Sequence, residues 1–407
     1  MSWHRLTAIG VALCALAFTA GCGKEESGGA VEGDTIKLGA ALSLTGQLAR
    51  EGQLTKEGYE FCASRINEKG GVKVGDKSYK IAITYRDDKS EPDTAGQLVD
   101  RFNDEGIKLV LGPYGSSSTE AAAAVIEKNQ QVMVEGAGAD DKIFEKGYTQ
   151  TFAVLSPATQ YAASMVRAAA ELAEPKPKTV VFLTADDGFS KTVTEGGEAE
   201  AEKQGIEVLA TESFPEGATD VSSALTKVRD LNADLVLGSV HLEEGIAIIK
   251  QSGELGVKPA GGFGETVAPP TPDFVKTLGE SAEGVLGSTQ WVPQVEGEDK
   301  YFGTAADYAK DWEAKYGRDP EYHNAEATAA CLALALGLEK AGSTDTQKVR
   351  DAVAGLDEET FFGPIDFNEQ GENAAKPMSV IQIQGGKPVT VWPKEQAESE
   401  LRWPAAG

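Results

Sequence analysis

Lys108-Leu109-Val110-Leu111-Gly112 has a counterpart later in the chain, Asp234-Leu235-Val236-Leu237-Gly238. In both stretches a charged residue precedes a short aliphatic run, and the run ends at a glycine that leads into a loop and a helical pattern. A short apolar run bounded in this way is typical of a strand that is buried on both faces of a parallel sheet. The repeated pattern therefore predicts two lobes of one α/β architecture.

The segments around each copy alternate short β-branched runs with longer helical patterns, which indicates successive βαβ units. The first series contains predicted strands at 36–42, 79–85, 109–112 and 132–135, with helices at 52–69 and 93–105. The second series contains predicted strands at 179–184, 206–211, 235–238 and 261–263, with helices at 192–204, 222–230 and 245–252. An alanine-rich helix at 324–341 and strands at 361–367 and 378–383 follow. Because open α/β sheets bind ligands beyond the carboxyl ends of their strands, the loops of both lobes should face one cleft.

The N-terminus combines a short apolar run with a cysteine. Arg5 precedes the apolar residues 6–18, a run with the length of a signal-peptide core that is too short to span a bilayer. The run closes on Phe18-Thr19-Ala20-Gly21-Cys22, which resembles the bacterial lipobox. We therefore predict a lipoprotein signal peptide at 1–21, a lipid anchor on Cys22 and a flexible tether at 22–33. The alternative is an ordinary secretory peptide with a chance cysteine at its end.

Length, charge and cysteine content narrow the possible partners. A chain of 407 residues suits two domains, and a formal charge of −26 would be repelled by phosphate backbones, so nucleic acid is not an expected partner. After Cys22 only Cys62 and Cys331 remain. In an oxidising compartment these two cysteines can form a disulfide, and two buried free thiols are the alternative. No later stretch is long and apolar enough to cross a membrane, so we expect an anchored chain.

The first candidate binding feature is Gly112-Pro113-Tyr114-Gly115-Ser116-Ser117-Ser118-Thr119, which leads directly into a helix. Tyr114, Ser116 and Ser117 place hydroxyls beside the free N–H groups of a helix start, where the dipole favours an anion such as a carboxylate. The alternative is that these residues only cap the helix and bind no ligand, because Ser117-x-x-Glu120 fits a capping box.

A second candidate follows the next strand, in Glu135-Gly136-Ala137-Gly138-Ala139-Asp140-Asp141. Its small residues Ala137, Gly138 and Ala139 would let a ligand approach the backbone closely. The alternative is a plain βα turn in which one of the two aspartates caps the following helix.

In the second series, candidate residues follow three predicted strands. They are Phe189, Val240, His241 and Glu265. The Glu265 carboxylate is a natural partner for an ammonium group, through charge-assisted hydrogen bonds. No closely spaced set of metal ligands and no nucleophile beside a base is visible, so we expect no metal, no cofactor and no enzymatic activity.

Several motifs in order along the chain are similar to those of the leucine/isoleucine/valine-type periplasmic binding proteins, from about residue 34 to residue 393. The matching residues are Leu44-Thr45-Gly46, Ile66-Asn67-Glu68-Lys69-Gly70-Gly71, Gly115-Ser116-Ser117-Ser118-Thr119, Thr289-Gln290-Trp291 and Phe362-Gly363-Pro364-Ile365-Asp366-Phe367, with Gly371. The resemblance implies a type I fold, in which two doubly wound parallel-sheet lobes are joined by three crossovers, near Ser156, Thr289 and Thr360. Lobe one would contain 34–156 and 290–360, lobe two 157–289 and 361–395, and 396–407 would form a C-terminal tail.

The resemblance also assigns roles to single residues. Ser116 occupies the position whose hydroxyl holds the ligand carboxylate, and Ala137 and Ala139 stand where the family has a backbone carbonyl and a threonine. Phe189 replaces a tyrosine that covers the ligand, and Val240 or His241 falls near a second aromatic position. Glu265 matches the acid that pairs with the ligand ammonium, and Glu51 lies where leucine binders often have a tyrosine.

The resemblance implies a binding protein that closes over an amino acid and delivers it to the permease subunits of an ABC importer. The resemblance makes a branched-chain amino acid the default ligand. Because Glu51, Ala139 and Phe189 depart from the usual residues of the family, a polar or cationic amino acid or an amide stays open. We expect a lipid-anchored monomer on the extracytoplasmic face of a bacterial membrane. The alternative is a sensory lipoprotein that reports the ligand to a receptor.

Overall fold

The computed structural model describes residues 31–404. The predicted signal peptide, the predicted lipid anchor on Cys22 and most of the predicted tether therefore lie outside the described residues. The tether was expected to reach residue 33, but Val31–Glu32 forms a short strand, β1, that pairs antiparallel with the next strand. The ordered domain thus begins slightly earlier than the sequence pattern predicts.

The N-terminal half of the first lobe alternates strands and helices. Its elements are β2 (Thr35–Leu42), α1 (Ala49–Glu68), β3 (Val72–Val74), β4 (Lys77–Asp87), α2 (Pro92–Asp104), β5 (Leu109–Leu111), α3 (Ser116–Asn129), β6 (Val132–Glu135), α4 (Asp141–Phe144) and β7 (Thr151–Ala153).

The second lobe repeats the alternation. Its elements are α5 (Thr159–Leu172), β8 (Thr179–Ala185), α6 (Gly188–Gln204), β9 (Glu207–Phe214), α7 (Ser222–Leu231), β10 (Leu235–Ser239), α8 (Leu242–Leu255), β11 (Phe263–Glu265), α9 (Pro272–Leu278) and β12 (Leu286–Thr289), with a 3₁₀ turn at Gly279–Ala282.

The chain then returns to the first lobe and ends in the second. The remaining elements are β13 (Glu298–Asp299), β14 (Gly303–Thr304), α10 (Ala305–Tyr316), α11 (Tyr322–Ala341), α12 (Thr346–Ala354), β15 (Asp357–Thr360), β16 (Gly363–Asp366), β17 (Ser379–Ile383) and β18 (Pro388–Trp392), with a 3₁₀ turn at Lys394–Gln396.

Each lobe is built on one sheet whose central strands are parallel. The first sheet has the order β3-β4-β2-β5-β6-β7, with β1 beside β2, and the second has the order β18-β17-β12-β11-β10-β8-β9. The strand order reverses direction between β2 and β5 in the first sheet and between β8 and β10 in the second. Ligands of open α/β sheets bind at such switch points, so the helices that follow these four strands (α1, α3, α6 and α8) mark the place to look for a site.

The central strands are mostly apolar and buried because helices cover both of their faces. In β8, Val180 and Phe182 pack in the cluster that includes α5 and α6, whereas Val181 and Leu183 pack in the cluster that includes α7 and α8. Successive side chains of a strand point to opposite faces, so both halves of the run are buried. This explains why the aliphatic runs, rather than alternating patterns, predicted the strands correctly.

Helices α1 and α11 pack together on one face of the first sheet. Cys62 of α1 and Cys331 of α11 are fully buried there and form a disulfide. The pair joins two elements that lie far apart in the sequence. Of the two alternatives that the sequence leaves open, the structure has the disulfide.

Hydrogen bonds link the three connections between the lobes to one another. The backbone N–H of Ser156 in the first connection donates to the side chain of Gln290 in the second, at 2.9 Å. Lys376 in the third connection donates from Nζ to the Gln290 carbonyl at 2.7 Å, and its own carbonyl accepts from the Ser156 hydroxyl at 2.7 Å. The hinge is therefore a single hydrogen-bonded unit.

Three further differences from the sequence-based boundaries lie in the second half of the chain. Residues 361–367, expected in lobe two, pack their aromatic side chains in the core of lobe one, so the third connection lies after them rather than near Thr360. Residues 397–403, expected as a tail, lie against lobe two, where the Arg402 carbonyl accepts from Gln382 at 3.0 Å. The strand expected at 261–263 begins only at Phe263, because Gly262 is in a turn that closes on Pro259.

Candidate functional site

A chamber lies between the lobes at the two switch points, with about 270 Å³ of space outside the protein atoms, including its mouth. Residues of both lobes line it: Tyr114, Gly115, Ser116, Ala137, Ala139, Tyr161, Phe189, His241, Val267, Tyr322 and Glu326. Six of the predicted site residues are in this set, namely Tyr114, Ser116, Ala137, Ala139, Phe189 and His241. The loops after the strands of both lobes thus meet at one place.

The start of α3 forms the lobe-one wall of the chamber. Gly115 is the residue before the helix, and its φ of 86° is in the region that favours glycine. No side chain caps this helix start, so the capping box of Ser117 and Glu120, which was the alternative interpretation of the motif, is absent. The Ser116 hydroxyl is buried and accepts a hydrogen bond from the Asp140 backbone N–H at 3.1 Å. A helix start without a side-chain cap, beside a serine hydroxyl, is suited to hold a carboxylate.

The loop after β6 forms the neighbouring wall. Ala137 and Ala139 line the chamber with little side-chain bulk, while the backbone N–H groups of Ala137 and Gly138 donate to the Glu135 carboxylate at 2.7 and 2.6 Å. Burial raises the pKa of Glu135 to about 7, against the effect of these two hydrogen bonds. The Asp140 side chain caps α4 by accepting from the Lys142 N–H, as the capping alternative expected.

Aromatic rings enclose much of the remaining surface. The rings of Tyr161 and Phe189 meet edge to face with centroids 5.3 Å apart, and Phe189 is 5.4 Å from the ring of His241. The Tyr114 ring lies 6.3 Å from His241, so the series runs from one lobe to the other. Tyr322 completes the lining from the start of α11. Rings of this kind contribute large apolar contact area and can also face a cation.

Two of the rings are held in place by hydrogen bonds that lead away from the chamber. The Tyr114 hydroxyl is 3.3 Å from His323 Nε2, and His323 Nδ1 is 2.6 Å from the Glu321 carboxylate. The Tyr161 hydroxyl accepts from the side chain of Gln290, at the hinge, at 2.9 Å. The lining is therefore connected to the residues that link the lobes.

Polar contacts join the lobes beside the chamber. The Glu51 carboxylate at the start of α1 is buried and accepts from the Leu242 N–H, at the start of α8, at 3.4 Å. The Thr192 hydroxyl donates to Asp140 at 2.7 Å, and Arg50 pairs with Asp273. Glu51 was expected to line the site, but the structure places it at this contact between the lobes.

His241 has mostly acidic neighbours. Burial alone would lower its pKa, but the carboxylates of Asp187, Glu244 and Glu51 act in the other direction and raise it above its ordinary value. The imidazole Nδ1 is buried and makes no hydrogen bond within the described chain. A protonated His241 would partly offset the negative charge of this region.

Besides Glu51, four expected site residues do not line the chamber. Glu265 is fully buried behind α8, where its carboxylate lies so close to Gly245 that a Cβ there would be 2.6 Å from Oε2. Burial, with a further contribution from Glu244, raises the pKa of Glu265 well above its ordinary value. Val240 is buried next to Thr266, and Ser117 is exposed. Gly138 lies against Thr119 rather than toward the cavity.

Apart from Gly115, which lies within the first candidate binding feature, four lining residues were not predicted: Tyr161, Val267, Tyr322 and Glu326. Tyr161 lies in the first turn of α5, just after the first connection between the lobes, and Tyr322 is the first residue of α11, which follows β13, β14 and α10 after the second connection. Only the return of the chain to the cleft brings them there. Glu326 could have been suspected, because it is the single acid within the apolar run 325–338 of an otherwise alanine-rich and leucine-rich helix. Val267 carries no comparable signal.

Two kinds of feature are absent from residues 31–404. No group of three or more His, Cys, Asp or Glu side chains in that range is arranged to hold a metal ion. No helix in the same range combines the length and apolar character needed to cross a bilayer.

Two lobes with central parallel sheets, three hydrogen-bonded connections and a chamber at both switch points define a two-lobed binding protein. The model of the periplasmic binding protein family matches residues 35–387, and the chain belongs to this family. It has the type I fold. The family is one of binding proteins and is not an enzyme family.

Individual relatives match most of the length of the chain at low sequence identity. The Leu/Ile/Val-binding protein homolog 7 of Brucella suis biovar 1 (strain 1330) is 24% identical over 398 residues, which cover 93% of this chain and 96% of that protein. The crystal structure of a leucine binding protein LivK from Thermotoga maritima MSB8 has a TM-score of 0.78 and 22% identity, covering 88% of this chain and 97% of the other.

A second solved structure is that of LivJ from Streptococcus pneumoniae, a branched-chain amino acid transporter substrate binding protein in complex with isoleucine. It has a TM-score of 0.76 and 21% identity, covering 88% of this chain and 99% of the other. At these identities the structural likeness establishes the fold, and the ligand has to be argued from the chamber.

Proposed function

We propose that this chain is an extracytoplasmic solute-binding protein, held to the membrane by lipid on Cys22, that captures an amino acid or a related amide and delivers it to an ABC importer. The observation that carries the proposal is the chamber itself, to which the starts of α3, α6 and α8 from two lobes contribute Ser116, Phe189 and His241. A site divided between two lobes can close over a small molecule by hinge motion.

The ligand carboxylate would bind at the start of α3, next to the Ser116 hydroxyl, and its remaining atoms would lie against the aromatic rings. A branched-chain amino acid is the default ligand, which the names of the relatives support. The small side chains of Ala137 and Ala139 leave room beside the rings of Tyr161 and Phe189. This lining favours a small molecule that becomes largely buried.

Binding can be tested by isothermal titration calorimetry of the full mature chain against the standard L-amino acids and their amides. We expect one or a few of them to bind, and Ser116→Ala to weaken that binding about tenfold, the cost of one hydrogen bond to a charged group. Ser117→Ala is the matched control, because this exposed serine is adjacent in the same helix turn. The absence of any ligand in the panel would contradict the proposal.

Delivery to an importer needs a separate test in the source organism. Deletion of the gene should abolish uptake of the radiolabelled ligand that calorimetry identifies, and the wild-type gene should restore it. A Cys22→Ser variant should leave the membrane fraction. Normal uptake in the deletion strain would instead favour the sensory alternative.

A further inference from the structure

Asp140, in the loop after β6, makes hydrogen bonds to both lobes. The residue is buried, with 5% of its surface exposed. Its backbone N–H donates to the Ser116 hydroxyl of lobe one at 3.1 Å, and its Oδ1 atom accepts from the Thr192 hydroxyl of lobe two at 2.7 Å. Asp140 therefore links the serine beside the start of α3 to a helix of the opposite lobe.

The Asp140 N–H also orients the Ser116 hydroxyl. A serine hydroxyl has one proton to donate and two lone pairs that accept. Because the Ser116 oxygen accepts from this backbone N–H, its proton is left to donate to another group. A carboxylate at the start of α3 can accept that proton in a charge-assisted hydrogen bond. The backbone of Asp140 thus prepares Ser116 for the anion that the proposed function places there.

The other residues of the loop fix it at the hinge. The Ala139 carbonyl accepts from the Ala158 N–H at 2.7 Å. The Asp141 carboxylate accepts from the hydroxyl and the N–H of Thr159, at 2.8 and 3.3 Å. Ala158 and Thr159 belong to the first connection and to the start of the helix that follows it. The Asp140 carboxylate instead reaches α6, which moves with lobe two.

A second contact joins the same loop to α6 but is exposed. Lys142 Nζ lies 3.2 Å from the Glu195 carboxylate, and the two side chains are 49% and 61% exposed. Solvent screens such a pair, so it contributes little. Thr192 is only 2% exposed, and a buried hydrogen bond to a charged group contributes more. The bond between Asp140 and Thr192 is therefore the stronger of these two contacts.

Close packing accompanies the bond to Thr192. Gly188 is the first residue of α6, and Thr192 lies one turn later on the same face. A Cβ on Gly188 would be 2.8 Å from Asp140 Oδ2. Apart from its chain neighbours and its own helix backbone, that Cβ would meet no other atom of residues 31–404 within 4 Å. A methyl group at this position would therefore hinder the approach of the lobes without crowding lobe two.

We propose that Asp140 is a positioning residue that couples ligand binding to closure. Its backbone N–H orients the Ser116 hydroxyl toward the ligand carboxylate, and its side chain holds lobe two closed through Thr192. This inference rests on the proposed function and deepens it, because it names the residues that connect the α3 site to the position of lobe two. A contact formed only in the closed state slows the escape of the ligand.

Calorimetry on the full mature chain tests the inference. The probe is whichever of the standard L-amino acids and their amides the wild type binds most tightly. Thr192→Val keeps the shape of the side chain but removes the hydroxyl, and we expect it to weaken binding about tenfold. Thr192→Ser, which retains the hydroxyl, should stay within about threefold of the wild type. The control Thr226→Val removes a hydroxyl that donates to the Ser222 carbonyl within α7, and it should change affinity by less than about twofold.

Stopped-flow kinetics separates a closure contact from a general structural role. The bond to Thr192 forms after the ligand has entered, so Thr192→Val should raise the dissociation rate about tenfold and leave the association rate within about twofold. The ligand-induced decrease in radius of gyration, measured by small-angle X-ray scattering, should become smaller. The ligand-free Thr192→Val and Thr226→Val proteins should unfold at the same temperature, because the bond to Asp140 is not internal to either lobe.

Gly188→Ala tests the same contact from lobe two. Alanine suits a helical position, and the added methyl group meets the Asp140 carboxylate only when the lobes are closed. We expect affinity to fall about tenfold, again through the dissociation rate. Combined with Thr192→Val, the loss should be smaller than the product of the two single effects, because both substitutions act on one carboxylate.

The possible results have distinct meanings. Wild-type affinity in Thr192→Val, or a loss that Thr192→Ser shares in full, would overturn the inference while leaving the proposed solute-binding function intact. A loss confined to the association rate would overturn it as well. No binding of any member of the panel by the wild type would contradict both the inference and the proposed function.

Discussion

Helix α3 of lobe one and helix α8 of lobe two follow equivalent strands, yet their first turns meet different partners. The first turn of α3 begins at Ser116 without a side-chain cap and faces the chamber. The first turn of α8 begins after His241, and its Leu242 N–H donates to Glu51 of the opposite lobe. The same strand-loop-helix pattern thus provides one helix start that faces the chamber and one that forms a contact between the lobes.

This difference shows that a helix start is an anion site only when no protein group occupies it. Both starts have N–H groups that lack partners within the helix, and both dipoles favour negative charge. At α8 a carboxylate from lobe one takes that position, so this helix start is part of the contact between the lobes. At α3 the position is accessible from the chamber.

The largest effect should come from placing a carboxylate at the start of α3. Ser116→Asp would put a negative charge where the ligand carboxylate binds, so we expect affinity to fall by at least about 100-fold, measured by calorimetry. Ser117→Asp is the matched control, because it adds the same charge to the same turn on the exposed side, and it should change affinity by less than about threefold. Unchanged binding in Ser116→Asp would show that α3 does not bind the ligand.

A smaller effect should follow from removing the carboxylate at the start of α8. Glu51→Ala should weaken ligand binding by roughly tenfold, because it removes a charged acceptor that stabilises the contact between the lobes. The ligand-induced decrease in radius of gyration, measured by small-angle X-ray scattering, should also become smaller. Glu68→Ala, at the exposed end of the same helix, should leave both quantities unchanged. Equal closure in the two variants would argue against a role for Glu51 in the contact.

The smallest effect should come from the ion pair at the edge of the cleft. Arg50 and Asp273 join the lobes, but their side chains are 35% and 29% exposed, so solvent screens the pair. Arg50→Ala should weaken binding by about threefold at low salt, and the difference should vanish at about 1 M salt. The control is Arg65→Ala, which removes a pair of similar exposure within lobe one, with Asp311. A loss of affinity that persisted at high salt would mean that Arg50 acts through packing instead.

Much of the fold follows from local patterns, because buried parallel strands are short aliphatic runs and their helices have a separate periodicity. The repeat around Gly112 and Gly238 therefore predicted two similar lobes correctly. The third connection was predicted too early. Residues 361–367, which include three phenylalanines, have a strand-like pattern that would suit either lobe. Only their packing partners decide to which core they belong.

The candidate site could be predicted in part, for a physical reason. Residues directly after strands reach the cleft by topology alone, which is why Ser116, Phe189 and His241 meet there. Topology does not decide whether a given side chain points into the cleft. Ser116 and Ser117 differ by about 100° of rotation around the helix, and only the former faces the chamber. Glu326 reaches the site from a helix that follows two connections, so its local pattern, a single acid in an apolar run, marks it as unusual without indicating that it faces the cleft.

The most direct test of the account is a crystal structure of the full mature chain with the ligand identified by calorimetry. The account predicts that the ligand lies between the lobes, with its carboxylate at the start of α3 beside Ser116 and with Phe189 and His241 of lobe two against its other side. A ligand bound to one lobe alone, or on the surface of lobe two near Phe263 and Val285, would contradict it.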